Sequence, residues 1–585
     1  MTAPTWRRRR DGWILIALAA WSCRYFFRYA RTAYEWPAVD IAPLVARKLD
    51  PAFLENDFFT NASAEPSPRH AFGSLVAMLA RPLGDDWYAA LYLLRLGATF
   101  FLPVLWYLAL AGYVRLWFSR RDVTASPGLS DPLRAPQAPA ATISFASWWA
   151  ASVAIVVGIA EVVRPDVAAW FSIAWWPPFQ PQATSATYSL MCALAGNVLL
   201  SQATRFHTGL GVTAWLAASL LHPAVSLFAI VLHGIATFDR WRVAAAAKAV
   251  AIGWLVPCLV LAVVCRPTVS LDAETFVRQY VLVRHPHHYW PPEFGSLTDR
   301  PWWHSFFLLT GLMLAALPYA AWRRDRRLAT LALLLSGTYV GCVALQYAAV
   351  VVWPTKWIAM LGPVRFSSLG YFAWLLLAAL VAADLANRVV PRRRSAGENA
   401  QPSSTRWLHG ACLPRGSALV LIAVAAVYFG LTTKDDPFEK ARRAQPALYR
   451  WIAEDTPRDS VFVAADDRFS VDVALVAQRA IYAGFGFPFR EDYFAEYAFR
   501  DALAFGTREQ RMALKRELAS GVDPRRAYFR RLGPRDWVRI ARERQLDYVV
   551  VESDHAEEFS AILPEFANAA WRVYAVADLR RFVNR

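Results

Sequence analysis

The sequence predicts a mostly α-helical, polytopic membrane bundle of about 11 spans, with a cytoplasmic N-terminus and a small periplasmic α/β domain at the C-terminus. The 585 residues are 56% hydrophobic and 14% aromatic, with a mean hydropathy of +0.25. The apolar residues form repeated runs of about 20, long enough to cross a hydrocarbon core of ~30 Å. Lys and Arg, which give a net charge of +17, gather at the ends of these runs. By the positive-inside rule this excess indicates topology, and no nucleic-acid binding is expected.

The N-terminal spans follow from the basic residues beside them. Arg7 to Arg10 hold the N-terminus in the cytoplasm, and the first span (12–30) has no small-residue cleavage site, so it is predicted to stay in the mature chain. Residues 31–86 form a first periplasmic loop, and the second span (90–118) returns to the cytoplasm. The Pro/Ala/Ser-rich residues 122–142 are predicted to be a cytoplasmic linker.

One apolar run, 209–238, is predicted to break in its middle. Basic residues lie at both of its ends, at Arg205 and Arg240, whereas a single crossing places its two ends on opposite sides of the membrane. Proline cannot continue a helix without loss of a backbone hydrogen bond, so His222-Pro223 marks the break. We expect two short helices in a shallow hairpin with His222 near its outer tip, and such broken helices commonly line a cavity.

The remaining apolar runs complete a bundle that is predicted to occupy residues 1–432. In this topology every basic cluster of more than two residues falls on the cytoplasmic side, as the positive-inside rule requires. The remaining predicted spans are 143–163, 185–203, 243–265, 302–322, 328–352, 360–388 and 416–432, with a periplasmic His-rich loop at 266–301 and a cytoplasmic linker at 395–415.

Residues 433–585 have an ordinary charge density and are predicted to form the periplasmic α/β domain. The segments SVFVAA, AIYAG and LDYVVVES are typical of short buried strands, and RAQPALYRWIAED and PRDWVRIARERQ of helices. A helix directly before a strand predicts a partly parallel sheet. No Gly-rich phosphate loop follows any of these strands, so nucleotide binding is not expected.

The loop 31–86 contains the candidate catalytic residue, Asp57. Phe58 and Phe59 follow it and are expected to bury the backbone, which would direct the carboxylate toward a membrane cavity. There a carboxylate suits either a general base or a ligand for a divalent cation, Mg or Mn. The alternative is an aspartate that caps a helix or turn. Arg69, later in the same loop, is a candidate to bind substrate.

The stretch RHPHHYWP, within 266–301, supplies most of the candidate binding residues. Its prolines predict a rigid, extended loop. A guanidinium beside imidazoles matches the oxygens of a phosphate or pyrophosphate, while a structural loop and a metal site are the alternatives. Adjacent histidines do not easily bind one zinc ion together, and the six cysteines include no CxxC pair. The candidates are Arg284, His285, His287, His288 and Tyr289.

Two further candidates are polar groups in apolar surroundings. Arg365, in GPVRFSSLGYF at the outer end of the span 360–388, places a charge at membrane depth, where charged residues are often functional. Snorkelling of its side chain to the interface is the alternative. His222 is expected either to line a cavity or to make a hydrogen bond at the tip of the hairpin.

This layout resembles the GT-C superfamily of integral-membrane glycosyltransferases. The segments LENDFFTN, LLHPAVSLF and RHPHHYWP are also similar to a group of bacterial membrane proteins related to that superfamily. The resemblance implies that Asp57 (or Asp40) is the acidic residue of the first outer loop, that the broken helices around His222-Pro223 are its membrane-embedded helices, and that 433–585 is its outer domain. The chain departs from the paired acids that many such enzymes carry, because Glu55 and Asp57 flank an asparagine.

The resemblance therefore implies a glycosyltransferase-like protein of the bacterial inner membrane. It would move a sugar from a polyprenyl-phosphate donor to an acceptor at the periplasmic face, with Asp57 as the base or metal ligand and the arginines and histidines at the lipid phosphate. Two other classes stay open. One is a transporter or flippase of a lipid-linked or anionic substrate, which a missing internal repeat disfavours. The other is a non-catalytic envelope assembly protein.

Overall fold

The computed structural model describes residues 41–118, 182–201, 205–238, 243–294, 302–389, 446–465, 467–484, 490–518 and 522–585. The predicted spans 12–30, 143–163 and 416–432 lie outside these residues, as do both cytoplasmic linkers and Asp40.

The first outer loop is helical over most of its described length. Four helices lead from it into the bundle: α1 (Ala42–Leu49), α2 (Phe58–Ala64), α3 (His70–Ala80) and α4 (Trp87–Phe118). Three shorter apolar helices follow, α5 (Ser185–Leu200), α6 (Arg205–Leu221) and α7 (Pro223–Ala236), and then α8 (Ala244–Val264). The bundle ends with α9 (Ala273–Phe276), α10 (Pro286–Tyr289), α11 (Pro291–Phe294), α12 (Trp302–Arg323), α13 (Arg326–Val352), α14 (Lys356–Leu361) and α15 (Phe366–Val389).

Five helical stretches of the described chain are long and apolar enough to cross a membrane. They are α4, α8, α12, α13 and the stretch Lys356–Leu385, which joins α14 to α15. The predicted count of about 11 spans is not supported. One physical reason is that the apolar run 185–203 forms a helix of 16 residues and the run 209–238 forms helices of 17 and 14, short of the ~20 residues that a span needs.

The predicted break at His222-Pro223 is present. Pro223 is the first residue of α7, and Nδ1 of His222 accepts the backbone N–H of Val225 at 3.5 Å, which caps the new helix. The hydroxyl of Ser189 on α5 donates to the backbone oxygens of Ala218 (2.8 Å) and His222 (3.1 Å). Because these groups satisfy backbone atoms that the break frees, the chain turns here inside an apolar bundle.

The bundle has two distinct ends. At one end, Arg323, Arg324, Arg326 and Arg327 gather between α12 and α13, and we call this the arginine end. There Arg323 pairs with Asp384 of α15 at 3.0 Å. Asp384 lies 18 residues after Phe366, about 27 Å at ~1.5 Å per residue, which approaches the ~30 Å of a hydrocarbon core. The other end, where α15 begins, carries the C-terminal domain, and we call it the domain end.

The C-terminal domain contains a five-stranded mixed sheet. Its strands are β1 (Val461–Ala464), β2 (Ala480–Ile481), β3 (Tyr548–Glu552), β4 (Phe566–Ala567) and β5 (Trp571–Ala575), in the order β2-β1-β3-β5-β4. β1 pairs in parallel with β2 and β3, whereas β5 is antiparallel to β3 and β4. The three predicted strands and both predicted helices are present; β4 and β5 were not predicted. Its helices are α16 (Pro446–Asp455), α17 (Asp467–Leu475), α18 (Phe494–Phe505), α19 (Arg508–Glu517), α20 (Pro524–Phe529), α21 (Pro534–Glu543) and α22 (Val576–Val583).

The C-terminal domain packs directly on the domain end through a shared apolar core and a ring of polar contacts. Phe276 and Val350 of the bundle lie in one core with Phe462 of the domain. Around this core, Lys356 pairs with Glu491 at 2.8 Å. Further contacts join Arg490 to Glu65 (2.8 Å) and Thr268 to Asp492 (2.6 Å). The two parts therefore meet at the end of the bundle where Tyr289 lies in the shared core.

Candidate functional site

The RHPHHYWP stretch is compact rather than extended. The residues Val277–Arg284 continue α9 as a π-helix, in which the N–H of His285 donates to the oxygen of Tyr280 at 3.1 Å. Pro286 then begins α10, whose last residue, Tyr289, turns back toward Tyr280 so that the two hydroxyls lie 3.1 Å apart. A π-helical segment of this kind is rare and often occurs at functional sites.

Arg365 reaches the same pair of tyrosines. Gly362 has a φ of +67°, a conformation that favours glycine, and a Cβ there would lie 2.4 Å from a ring carbon of Tyr289. This close approach lets the 3₁₀ turn Pro363–Arg365 lie against the ring. Nη1 of Arg365 donates to the Tyr289 hydroxyl at 3.3 Å, and the guanidinium lies 5.3 Å from the ring centroid. The predicted site residues Tyr289 and Arg365 are therefore in contact.

His222 and Arg69 complete this group. Arg365 and Arg69, from separate elements, both lie within electrostatic range of His222 and Tyr280. We call Arg69, His222, Tyr280, Tyr289 and Arg365 the cationic cluster. Four of its members were predicted from the sequence as binding residues. Tyr280 was missed, although its place four residues before Arg284 in RQYVLVRHP was the available signal.

Arg284 turns toward the C-terminal domain. Its Nη1 donates to the hydroxyl of Tyr497 at 3.1 Å, its guanidinium lies 5.1 Å from that ring, and its charge also acts on Asp501. Tyr497 and Asp501 are one turn apart on α18, so they present a single acceptor surface to Arg284. The sequence offered no signal for Tyr497. The phosphate contact of Arg284 stays a prediction, and the structure adds a contact between its guanidinium and the C-terminal domain.

The histidines of the stretch lie beside the cationic cluster. The ring of His285 is 5.0 Å from that of Tyr280 and 5.5 Å from that of His288. The side chain of His287 lies outside the described residues. Among the residues that the structure describes, no three His, Cys, Asp or Glu side chains gather to hold a metal ion, so the metal alternative gains no support from them.

Asp57 caps a helix, which is the alternative role that its sequence context allowed. It is 1% exposed and is the N-cap of α2, where Oδ2 accepts the N–H of Thr60 at 2.7 Å. Its Oδ1 accepts the N–H of Ile481, on β2 of the C-terminal domain, at 3.0 Å. Burial raises the pKa of Asp57, against the lowering effect of these two N–H groups and of the Arg500 charge. One carboxylate oxygen thus caps α2, and the other holds the first loop to the domain.

The N-terminus of α15 adds positive potential to the site. This helix of 24 residues begins at Phe366, directly after Arg365, and its peptide dipoles place partial positive charge at that end. A helix N-terminus, two guanidinium groups and two phenol hydroxyls together suit the oxygens of an anion.

Comparisons with known proteins give little beyond this geometry. No family model matches the chain, and no curated protein matches it. Among solved structures, it is similar to the archaeal oligosaccharyltransferase AglB from Archaeoglobus fulgidus, in complex with an inhibitory peptide and a dolichol-phosphate. The two chains are 12% identical with a TM-score of 0.35, and the match covers 94% of this chain and 70% of that one. A TM-score of this size does not establish a shared fold.

Proposed function

We propose that the cationic cluster binds the phosphate of a polyprenyl-phosphate-linked sugar, and that the protein is a GT-C-like glycosyltransferase acting at the outer membrane interface. The observation that supports this most is the hydrogen bond from the buried Arg365 guanidinium to the Tyr289 hydroxyl, at 3.3 Å, beside the hydroxyl of Tyr280. A guanidinium buried in an apolar bundle is costly, and an anion beside it offsets that cost.

The position of the cluster favours a ligand that arrives with a lipid. Next to the start of α15, Trp353 and Trp357 are 75% and 66% exposed, and they flank Lys356. Exposed tryptophans of this kind commonly lie at the level of the lipid head groups. The cluster therefore lies near the depth at which a lipid-borne phosphate travels, and the C-terminal domain lies on its water side.

The chemistry needs a leaving-group stabiliser and a proton acceptor. The bond between the sugar's anomeric carbon and the phosphate oxygen breaks, and the polyprenyl phosphate leaves with the electron pair, next to Arg365 and Arg69. The acceptor's hydroxyl oxygen forms the new bond to that carbon. Its proton passes to an imidazole of His285 or His288, which lie beside the cluster, whereas Asp57 is 1% exposed and holds α2 and β2.

The orientation follows from the arginine end. The positive-inside rule places its four arginines in the cytoplasm, which puts the domain end and its C-terminal domain in the periplasm of a bacterial inner membrane. This topology agrees with an acceptor that approaches from the outer water.

The test is binding and turnover of lipid-linked substrates by the full chain in lipid nanodiscs. We expect polyprenyl phosphate to bind the wild type, and Arg365→Gln to weaken that binding by about 10- to 100-fold, as loss of a charge-assisted hydrogen bond implies. Arg326→Gln is the control, since it removes an equal charge at the arginine end. Equal affinities of wild type and Arg365→Gln would refute the phosphate site. Tight binding without sugar release to water or to any acceptor would instead favour the transporter or assembly alternatives.

A further inference from the structure

Gln346 of α13 is a buried amide with no hydrogen-bond partner among the described residues. It is 1% exposed, and both its Oε1 and its Nε2 lack a partner there. A buried polar group left unmatched destabilises the fold, and the bilayer offers no water to relieve that cost. Most buried polar groups in proteins are hydrogen-bonded, so an amide of this kind calls for an explanation.

Gln346 lies beside the cationic cluster. Tyr339, Gln346 and Val350 are spaced by seven and four residues, which places them on one face of α13. Tyr339 lies against Gly370 of α15, where a Cβ would be 2.9 Å from its ring, while Val350 packs in one core with Tyr289. Since α13 and α15 run in opposite directions, the face at Gln346 is directed to the turn Pro363–Arg365, which α13 contacts.

The same turn carries two more unmatched polar atoms. Oγ of Ser367, a residue that is 1% exposed, has no hydrogen-bond partner among the described residues, and neither has Nε of Arg365. Three buried polar groups thus lie where α13 meets the turn and the start of α15. Their shared lack of a partner indicates a polar ligand group rather than three separate defects.

The types of the surrounding residues indicate which chemical group of a ligand binds there. Phosphate oxygens in their ionised form only accept hydrogen bonds, so they suit Arg365 but not the carbonyl oxygen of an amide. A sugar hydroxyl donates and accepts at once, which matches both an amide and a serine hydroxyl. We propose that Gln346 and Ser367 form a subsite for a hydroxyl group of the sugar, next to the phosphate at Arg365. This inference rests on the proposed function.

Substitution of Gln346 by leucine distinguishes the contribution of the sugar to the binding affinity from that of the phosphate. The probes are polyprenyl phosphate and its glucosyl, galactosyl and mannosyl forms, offered to the full chain in nanodiscs. We expect one sugar-bearing lipid to bind the wild type about tenfold more tightly than polyprenyl phosphate. Gln346→Leu should abolish that preference and leave the affinity for polyprenyl phosphate unchanged.

Tyr339→Phe is the matched control, because it removes another buried hydroxyl that has no partner among the described residues, two turns away on the same face. It should leave both affinities unchanged. Without ligand, Gln346→Leu should melt at the same temperature as the wild type or higher, since it removes an unmatched amide. A lower melting temperature, or equal weakening of all four lipids, would overturn the subsite. Equal wild-type affinities for all four lipids would also overturn it without touching the phosphate site, whereas failure to bind polyprenyl phosphate refutes the proposed function itself.

Discussion

Asp57 and Arg365 are two buried charged residues at the domain end, and both were predicted from the sequence as site residues. They differ in how far their polar atoms are hydrogen-bonded. Asp57 has each carboxylate oxygen satisfied by a backbone N–H, one from its own helix and one from the C-terminal domain. Arg365 donates to a single tyrosine and keeps a buried nitrogen without a partner among the described residues. A buried carboxylate that accepts backbone N–H groups from two elements holds those elements together, while a buried guanidinium with a nitrogen left without a partner among the described residues can bind a ligand.

Substitution of Asp57 tests the first side of this comparison. Asp57→Ala leaves the N–H groups of Thr60 and Ile481 buried without an acceptor, which should lower the free energy of unfolding by about 2–3 kcal/mol. Thermal unfolding and limited proteolysis of the full chain measure it. Asp57→Ser, which keeps a cap on α2, should lose about half as much. Unchanged stability together with lost turnover would restore Asp57 as the catalytic base.

Gly362 tests how closely the turn must approach Tyr289. Gly362→Ala adds both left-handed strain and a Cβ 2.4 Å from that ring, for a total of about 2–4 kcal/mol. Gly84→Ala is the matched control, because Gly84 has a φ of +74° and nothing within 4 Å of its Cβ position. It should cost about 1 kcal/mol. Only Gly362→Ala should also weaken polyprenyl phosphate binding. Equal effects of the two substitutions on stability and on binding would show that Arg365 needs no such placement.

The pH dependence of stability should differ in sign between two buried acids. Burial raises the pKa of Asp57 above 3.8, so its contribution to stability falls as the pH rises from 3.8 toward that higher value. Burial also acts to raise the pKa of Asp501, but the charges of Arg525 and Arg511 outweigh it and hold that pKa below 3.8. The contribution of Asp501 is therefore present above 3.8 and is lost as the pH falls below it.

Melting temperatures between pH 3 and 7 measure this difference. Asp57→Asn should remove a decline in melting temperature as the pH rises above 3.8. Asp501→Asn should remove a decline in melting temperature as the pH falls below 3.8. Shifts of the same sign in the two variants would mean that the two carboxylates share one kind of environment.

The smallest effect concerns Arg284, whose guanidinium contacts Tyr497 of the C-terminal domain. Tyr497→Phe removes one hydrogen bond to Arg284 and keeps the aromatic ring, so it should cost about 1 kcal/mol in docking of the C-terminal domain. The affinity for polyprenyl phosphate should stay within about twofold. Tyr574→Phe, at a buried hydroxyl without a partner among the described residues, is the neutral control. A tenfold loss of affinity in Tyr497→Phe would move Arg284 back into the phosphate site.

The sequence predicted what local patterns determine. Apolar runs gave the long helices α4, α8, α12 and α13, and proline gave the break at His222. Phosphate-binding residue types gave four of the five members of the cationic cluster. The placement of Arg69 and Arg365 in one cluster could not be predicted from such patterns, because it results from packing between elements some 300 residues apart.

The function of Asp57 was not predictable for the same reason. Its second partner, the N–H of Ile481, belongs to a domain at the other end of the chain, and a backbone donor has no signature in sequence. The strands β4 and β5 were missed because β4 has two residues and β5 owes its place to pairing with β3.

The bond between Asp57 and Ile481 spans 424 residues, which has a consequence for the order of biosynthesis. At ~5–20 residues per second, a ribosome needs roughly 20 to 85 s to reach Ile481 after Asp57 has been made. During that interval the carboxylate of Asp57 lacks its second partner. A chain that ends before Ile481 would therefore leave the first loop without this contact and more accessible to proteases.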